Sequence, residues 1–129
     1  MLSTGIKGTL EMTVTENDTA EAIGSGGLPV FATPSMIMLM EKTSAAVVRP
    51  YLAEGDTTVG TLVNIRHLSA TPVTGTIRCE SELTEVDRKR LTFRVTAFDD
   101  AGLIGEGSHE RFIVTAEKFM AKTNAKLSK

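Results

Sequence analysis

The chain has 129 residues, 41% of them hydrophobic, and 14 Lys and Arg against 16 Asp and Glu give a formal net charge of −2. That length suits one domain with one core, and a near-balanced charge without a basic, aromatic-interleaved patch excludes nucleic acid as the expected partner. Cys79 is the only cysteine, so no internal disulfide is possible; with neither a basic-then-apolar leader nor an apolar run of about eighteen residues, a soluble cytoplasmic protein without a membrane partner is expected.

From Gly5 to Val14 the apolar residues Ile6, Leu10, Met12 and Val14 fall on even positions among Gly, Thr and Glu, the alternation of a half-buried strand. Residues 15–29 turn polar and then glycine-rich at Gly24-Ser25-Gly26-Gly27, which predicts a flexible, lid-like loop. Next, Val30-Phe31-Ala32-Thr33-Pro34 runs into Ser35-Met36-Ile37-Met38-Leu39-Met40-Glu41. This reads as a helix start: the Thr33 hydroxyl suits a cap, Pro34 suits the first helical position, and the free N–H groups behind them favour a carbonyl oxygen or an anion. The helix should run to about Val48 and stop before Pro50. Within it Glu41 interrupts a run of large apolar side chains. A charge is too costly to bury unpaired, so Glu41 should reach a cleft or have a dedicated partner.

After Glu54-Gly55-Asp56 come four strand-like stretches, about 57–69, 73–86, 90–98 and 103–116, joined at Thr71-Pro72, Asp87-Arg88-Lys89 and Asp99-Asp100-Ala101-Gly102. Short joins favour an antiparallel sheet. Leu91, Phe93, Val95 and Ala97 give that sheet an apolar face, and the long helix is its cover. The result is an α+β arrangement, a strand, a long helix, then four strands, which is the hotdog fold with one central helix wrapped by a curved antiparallel sheet over residues 1–129. A helix apolar on nearly every side should be covered on most of its circumference. Residues 118–129 read as a basic C-terminal tail that frays.

His67 stands near the end of the second strand, before the Pro turn, where imidazole would be accessible for proton transfer. Thr33, Glu41 and His67 thus offer a hydroxyl, a carboxylate and a base, although each residue alone reads as readily as a plain cap, a surface helix position or a satisfied strand histidine. His109 and Arg111 share a strand face and either line a site or form a solvated or interface stripe, the second reading being favoured for His109. Arg88-Lys89-Arg90 reads as a solvated hairpin turn. Lys118, Lys122, Lys126 and Lys129 would serve solubility or attract phosphates, Met36, Met38 and Met40 would pack, and Cys79 would be a core or edge residue. There is no HExxH, CxxC, P-loop or GxSxG element, so zinc hydrolases, redox thiols, nucleotide-triphosphate enzymes and α/β-hydrolases have no support.

Several motifs in order, Val30-Phe31-Ala32-Thr33, Leu39-Met40-Glu41, Pro50-Tyr51-Leu52, Gly60-Thr61, His67 with Ala70-Thr71-Pro72, Ser108-His109-Glu110-Arg111 and Glu117-Lys118-Phe119, resemble the hotdog-fold acyl-CoA thioesterases of the fluoroacetyl-CoA type. The resemblance runs from Val30 to the end. It implies a catalytic set on Thr33, Glu41 and His67, substrate-binding roles at Gly60 and Arg111, with Phe31 and Pro34 beside them, and cleavage of a small or short acyl-CoA to a carboxylic acid and free coenzyme A. It implies no metal or redox cofactor, coenzyme A entering only as part of the substrate, and a homodimer or a tetramer of paired dimers. Among these residues Thr33 or Glu41 would attack the thioester, or His67 would activate water. The departure is the segment Ala20 to Leu28, which lacks the aromatic lid of the fluoroacetyl-specific enzymes. The alternatives are a hotdog acyl-thioester dehydratase or hydratase and a non-catalytic acyl-CoA binding module.

Overall fold

A computed structural model describes residues 2–127. The elements in chain order are β1 (Lys7–Thr13), a 3₁₀ turn (Glu16–Asp18), α1 (Ala20–Ile23), α2 (Thr33–Val48), a 3₁₀ turn (Arg49–Tyr51), β2 (Asp56–His67), β3 (Thr76–Asp87), β4 (Arg90–Asp99), β5 (Gly102–Thr115), α3 (Ala116–Asn124) and a last 3₁₀ turn (Ala125–Leu127). The strands form one antiparallel sheet in the order β1-β3-β4-β5-β2. One concave face packs on α2. This is the hotdog fold expected from the element order, and among the described residues no helix is long and apolar enough to cross a membrane.

The core follows the alternation read in β4. Leu91, Phe93, Val95 and Ala97 are fully buried, and Ile77, Cys79 and Leu83 of β3 meet Met36, Leu39, Met40, Val47 and Val48 of α2 beneath them. Cys79 is accordingly a core residue, and burial pushes its thiol up to about 11. Polar residues on the buried helix face are satisfied: Ser44 Oγ lies 2.8 Å from Ser81 Oγ, and the Thr43 hydroxyl donates to the Leu39 carbonyl. These bonds remove the desolvation cost of unpaired hydroxyls under the sheet.

Four expectations need correction. Residues 15–29 are a loop only in part: residues 24–29 hold no helix or strand, but ahead of them the Thr19 hydroxyl accepts from Ala22 N–H and starts α1, and Gly24, at φ 81°, ends it. Ala20 and Glu21 N–H then donate to the Val30 and Leu28 carbonyls, folding the glycine stretch back on the helix. Second, α2 is covered on one side only. Pro34, Met38 and Lys42 form an exposed stripe flanked by half-buried Ile37, Glu41 and Ala45, because a single sheet wraps a single side of the helix. Third, β2 does not pair with β3. Thr74, at φ 78°, delays β3 to Thr76, β1 occupies the free edge of β3, and β2 is carried across to β5 at the far edge. Fourth, the basic segment from 118 is helical through Asn124 and exposed, while Lys129 lies outside the described residues.

Candidate active site

The start of α2 differs from the sequence reading in a way that matters. Ala32 is the N-cap, Thr33 is the first helical residue and Pro34 the second, and no side chain caps the helix. Thr33 therefore spends its hydroxyl elsewhere: Thr33 Oγ1 lies 2.7 Å from His67 Nδ1. The two residues are 34 positions apart in sequence, brought together because the end of β2 runs past the start of α2. Phe31, fully buried, holds the imidazole edge-on with ring centroids 6.5 Å apart. Thr33 and Pro34 stay exposed. Helix geometry leaves the N–H groups of Thr33 and Ser35 without intrahelical partners beside that hydroxyl.

A cavity of about 340 Å³ opens on this pair, walled by Val30, Phe31, Ala32, Leu68 and Ala70. Burial lowers the His67 pKa from its usual 6.5, and the Ser69 backbone opposes that shift. The ring is therefore neutral at neutral pH. Its Nε2 is buried and has no hydrogen-bond partner among the described residues, which an imidazole aligned for proton transfer needs.

Glu41 is not in this group within the chain. Eight residues of helix put it about 12 Å farther along the axis, where its Oε2 lies 3.6 Å from Arg111 Nη1. Arg111 is anchored in the sheet: Nε donates to Thr58 Oγ1 at 2.8 Å, Nη2 to the Thr58 carbonyl at 3.0 Å, and Nη1 faces His109 Nε2 at 3.2 Å. Gly60 pairs with Arg111 just before a bulge in β2, and a Cβ there would lie 2.5 Å from Glu41 Oε2. Glycine at 60 thus makes room for the carboxylate.

The structure brings the seven singled-out residues together as two clusters, Thr33, His67, Phe31 and Pro34 at the helix start, and Glu41, Gly60 and Arg111 farther down. It also corrects the solvated-stripe reading favoured for His109, which is only 1% exposed, and of the two readings left open for Arg111, 8% exposed, it excludes the solvated one. Thr58, which takes two bonds from Arg111, carried no signal in the sequence; His109 carried one, its same-face spacing with Arg111. Among the described residues no three His, Cys, Asp or Glu side chains group in a way that holds a metal ion.

A helix start presenting a hydroxyl–imidazole pair under a hotdog sheet defines the class of hotdog thioesterases. The family model for the fluoroacetyl-CoA-specific thioesterase, FlK, matches residues 14–117, and the chain belongs to that family; it is a thioester hydrolase. It is 41% identical over 97 residues, 75% of this chain and 70% of the other, to the fluoroacetyl-CoA thioesterase of Streptantibioticus cattleyicolor. A solved structure of the fluoroacetyl-CoA thioesterase FlK superposes with a TM-score of 0.92 at 33% identity, covering 98% of each chain. An FlK variant solved in complex with fluoroacetate and CoA gives 0.87 at 33% identity, over 92% of this chain and 99% of that one.

Proposed function

We propose that the chain hydrolyses a small acyl-CoA thioester to a carboxylic acid and free coenzyme A, at a site that two copies complete together. The observation that carries the reading is the 2.7 Å contact between Thr33 Oγ1 and His67 Nδ1 at the helix start. A threonine hydroxyl is a weak nucleophile until a base takes its proton. Here Oγ1 attacks the thioester carbonyl as Nδ1 accepts the proton, and the oxyanion forms against the first-turn N–H groups of α2. The C–S bond then breaks, the CoA thiolate leaves with that proton, and water releases the acid from Thr33. The FlK variant that binds fluoroacetate and CoA supports an acyl-CoA substrate. The limited volume of the cavity, with Val30, Phe31, Leu68 and Ala70 in its lining beside Ser25 and Ser69, supports a short acyl group, while the aromatic-free segment Ala20 to Leu28 withholds support from fluoroacetyl selectivity.

Two features support the two-copy site. The strand β2 is a sheet edge whose Leu62 and Val63 are 43% and 42% exposed, a liability that pairing with a second β2 about a two-fold axis removes. With Thr61 set aside as the bulge residue, an axis at Asn64 sets His67 opposite the partner subunit's Gly60, where Glu41 sits in each copy. The partner's Glu41 then accepts from the otherwise unpaired Nε2–H of His67 and holds the ring in the tautomer that accepts from Thr33.

Mixing inactive protomers tests both parts. If Thr33→Ala and Glu41→Gln protomers are exchanged in equal amounts, half the dimers are hybrid and each hybrid regains one intact site of two, so thiol release returns to about a quarter of wild type. No recovery would overturn the shared site. Acyl-CoA binding without thiol release by the unmodified protein, or hydration of an enoyl-CoA in its place, would overturn the hydrolase reading.

A second outcome concerns Gly60. In Gly60→Ala the added methyl meets the flexible end of Glu41 rather than backbone and stands 3.3 Å from Arg111 Nη1 and His109 Cε1, so the carboxylate moves aside and those two side chains give by a few tenths of an ångström. We expect kcat to fall on the order of 10²-fold, as displacements of about 1 Å do in an active site, with thermal unfolding nearly unchanged. Equal losses of fold and activity would contradict this account.

A further inference from the structure

His109 stands outside the Thr33, Glu41 and His67 set, yet it is among the most completely buried polar side chains in the protein, 1% exposed and tilted against Phe93 with ring centroids 6.2 Å apart. Its two nitrogens have unlike partners. Nδ1 lies 2.8 Å from the Leu62 carbonyl at the bulge of β2. A carbonyl only accepts, so Nδ1 carries the proton. Nε2 lies 3.2 Å from Arg111 Nη1. A guanidinium only donates, so Nε2 carries the lone pair. The pair of contacts is satisfied by one protonation state, the neutral Nδ1–H imidazole. Burial and the Arg111 charge both lower the His109 pKa, with the Leu62 carbonyl, Glu41 and Glu110 opposing them.

We propose that His109 is a positioning residue: through its fixed lone pair it sets the rotation of the Arg111 guanidinium, and Arg111 in turn sets the Glu41 carboxylate over Gly60. Arg111 has five N–H donors in a rigid fork. Thr58 takes one on Nε and one on Nη2, and His109 takes one on Nη1, so each corner of the guanidinium is held from within the sheet. The remaining N–H of Nη1 faces Glu41 Oε2 at 3.6 Å. Without an acceptor at 109 the fork loses its only tie to β5 other than its own backbone, and Glu41 loses the direction of its cation. Imidazole suits this role because it offers one donor and one acceptor on a flat ring thin enough to lie against Phe93. This inference rests on the reading of Glu41 as a member of the catalytic set.

Nitrogen-15 NMR of the unmodified protein, with the histidine ring assigned, tests the first half. We expect His109 to show a protonated Nδ1 and an unprotonated Nε2 across about pH 6 to 8; an Nε2–H tautomer or an imidazolium in that range overturns the proposal. Kinetics test the second half. His109→Leu should lower kcat for thiol release roughly 10- to 100-fold with KM little changed, and His109→Gln, whose amide supplies a donor and an acceptor, should recover most of it. In an Arg111→Lys background the Leu and Gln variants should become equivalent, since coupled residues are non-additive. A Gln variant as poor as Leu, or a His109 effect undiminished beside Arg111→Lys, overturns the relay. Should His109→Leu fail to fold, the NMR result and the Gln comparison in the two backgrounds still decide. Glu41→Gln separates the two levels: if it leaves thiol release intact, the catalytic reading fails; if it abolishes release while His109→Leu does not, this inference alone fails.

Discussion

His67→Ala should lower kcat by roughly 10²- to 10⁴-fold, the span that a positioned general base contributes, and leave the protein folded. The side chain is half-buried at the end of an edge strand, so its removal costs an edge contact with Phe31 and little core. Activity suffers more because Thr33 then has no group to take its proton. The pH dependence follows with a definite sign. Burial holds the His67 pKa below its usual 6.5, the neutral ring is the active form, and the wild-type rate should fall only as pH drops below 6.5. In His67→Ala that acid limb should vanish, since the limb is the protonation of the imidazole itself. Thiol release followed from about pH 5 to pH 9 reads both effects. A variant within tenfold of wild type, or a wild-type limb above 6.5, would remove His67 from the mechanism.

The parts of this fold that can be read from sequence are those decided by period. Leu91, Phe93, Val95 and Ala97 alternate in a central strand covered by α2, and each is fully buried. Thr33, Glu41 and His67 are legible as chemical types in suggestive places. Their grouping is not, because the 2.7 Å contact of Thr33 with His67 depends on where β2 ends relative to α2. The position of β2 depends in turn on β1 having claimed the edge of β3, a competition between strands far apart in sequence. His109 misleads for a related reason. Between Ser108 and Glu110 it has the look of a solvated strand residue, and only the pairing of β5 between β4 and β2 brings Phe93, the Leu62 carbonyl and Arg111 around it. The segment 15–29 is a different failure: Thr19 and Gly24 carried the start and stop of α1, but the glycine run outweighed them.

Arg111→Met is expected to cost the fold about 3 kcal/mol, more than any charge pairing in that cluster would suggest. Methionine fills much of the same volume, so the cavity term is small. The loss comes from acceptors. Thr58 Oγ1, the Thr58 carbonyl and His109 Nε2 each lose a donor, and a buried acceptor left unpaired costs roughly 1–3 kcal/mol. Glu41 adds little, because its side chain is 41% exposed and water replaces the cation. This apportionment has its own consequences. Molar salt, which screens exposed pairs, should not reproduce the loss, and Arg111→Lys, whose ammonium lacks the planar fork, should recover only a minor part of it. Urea unfolding at fixed protein concentration reads the difference directly, and in thermal unfolding it amounts to roughly 10 °C for a domain of this size. If Arg111→Met unfolds within about 1 kcal/mol of wild type, the guanidinium is not holding the sheet, and the Glu41 carboxylate must be oriented by something other than the arginine beneath it.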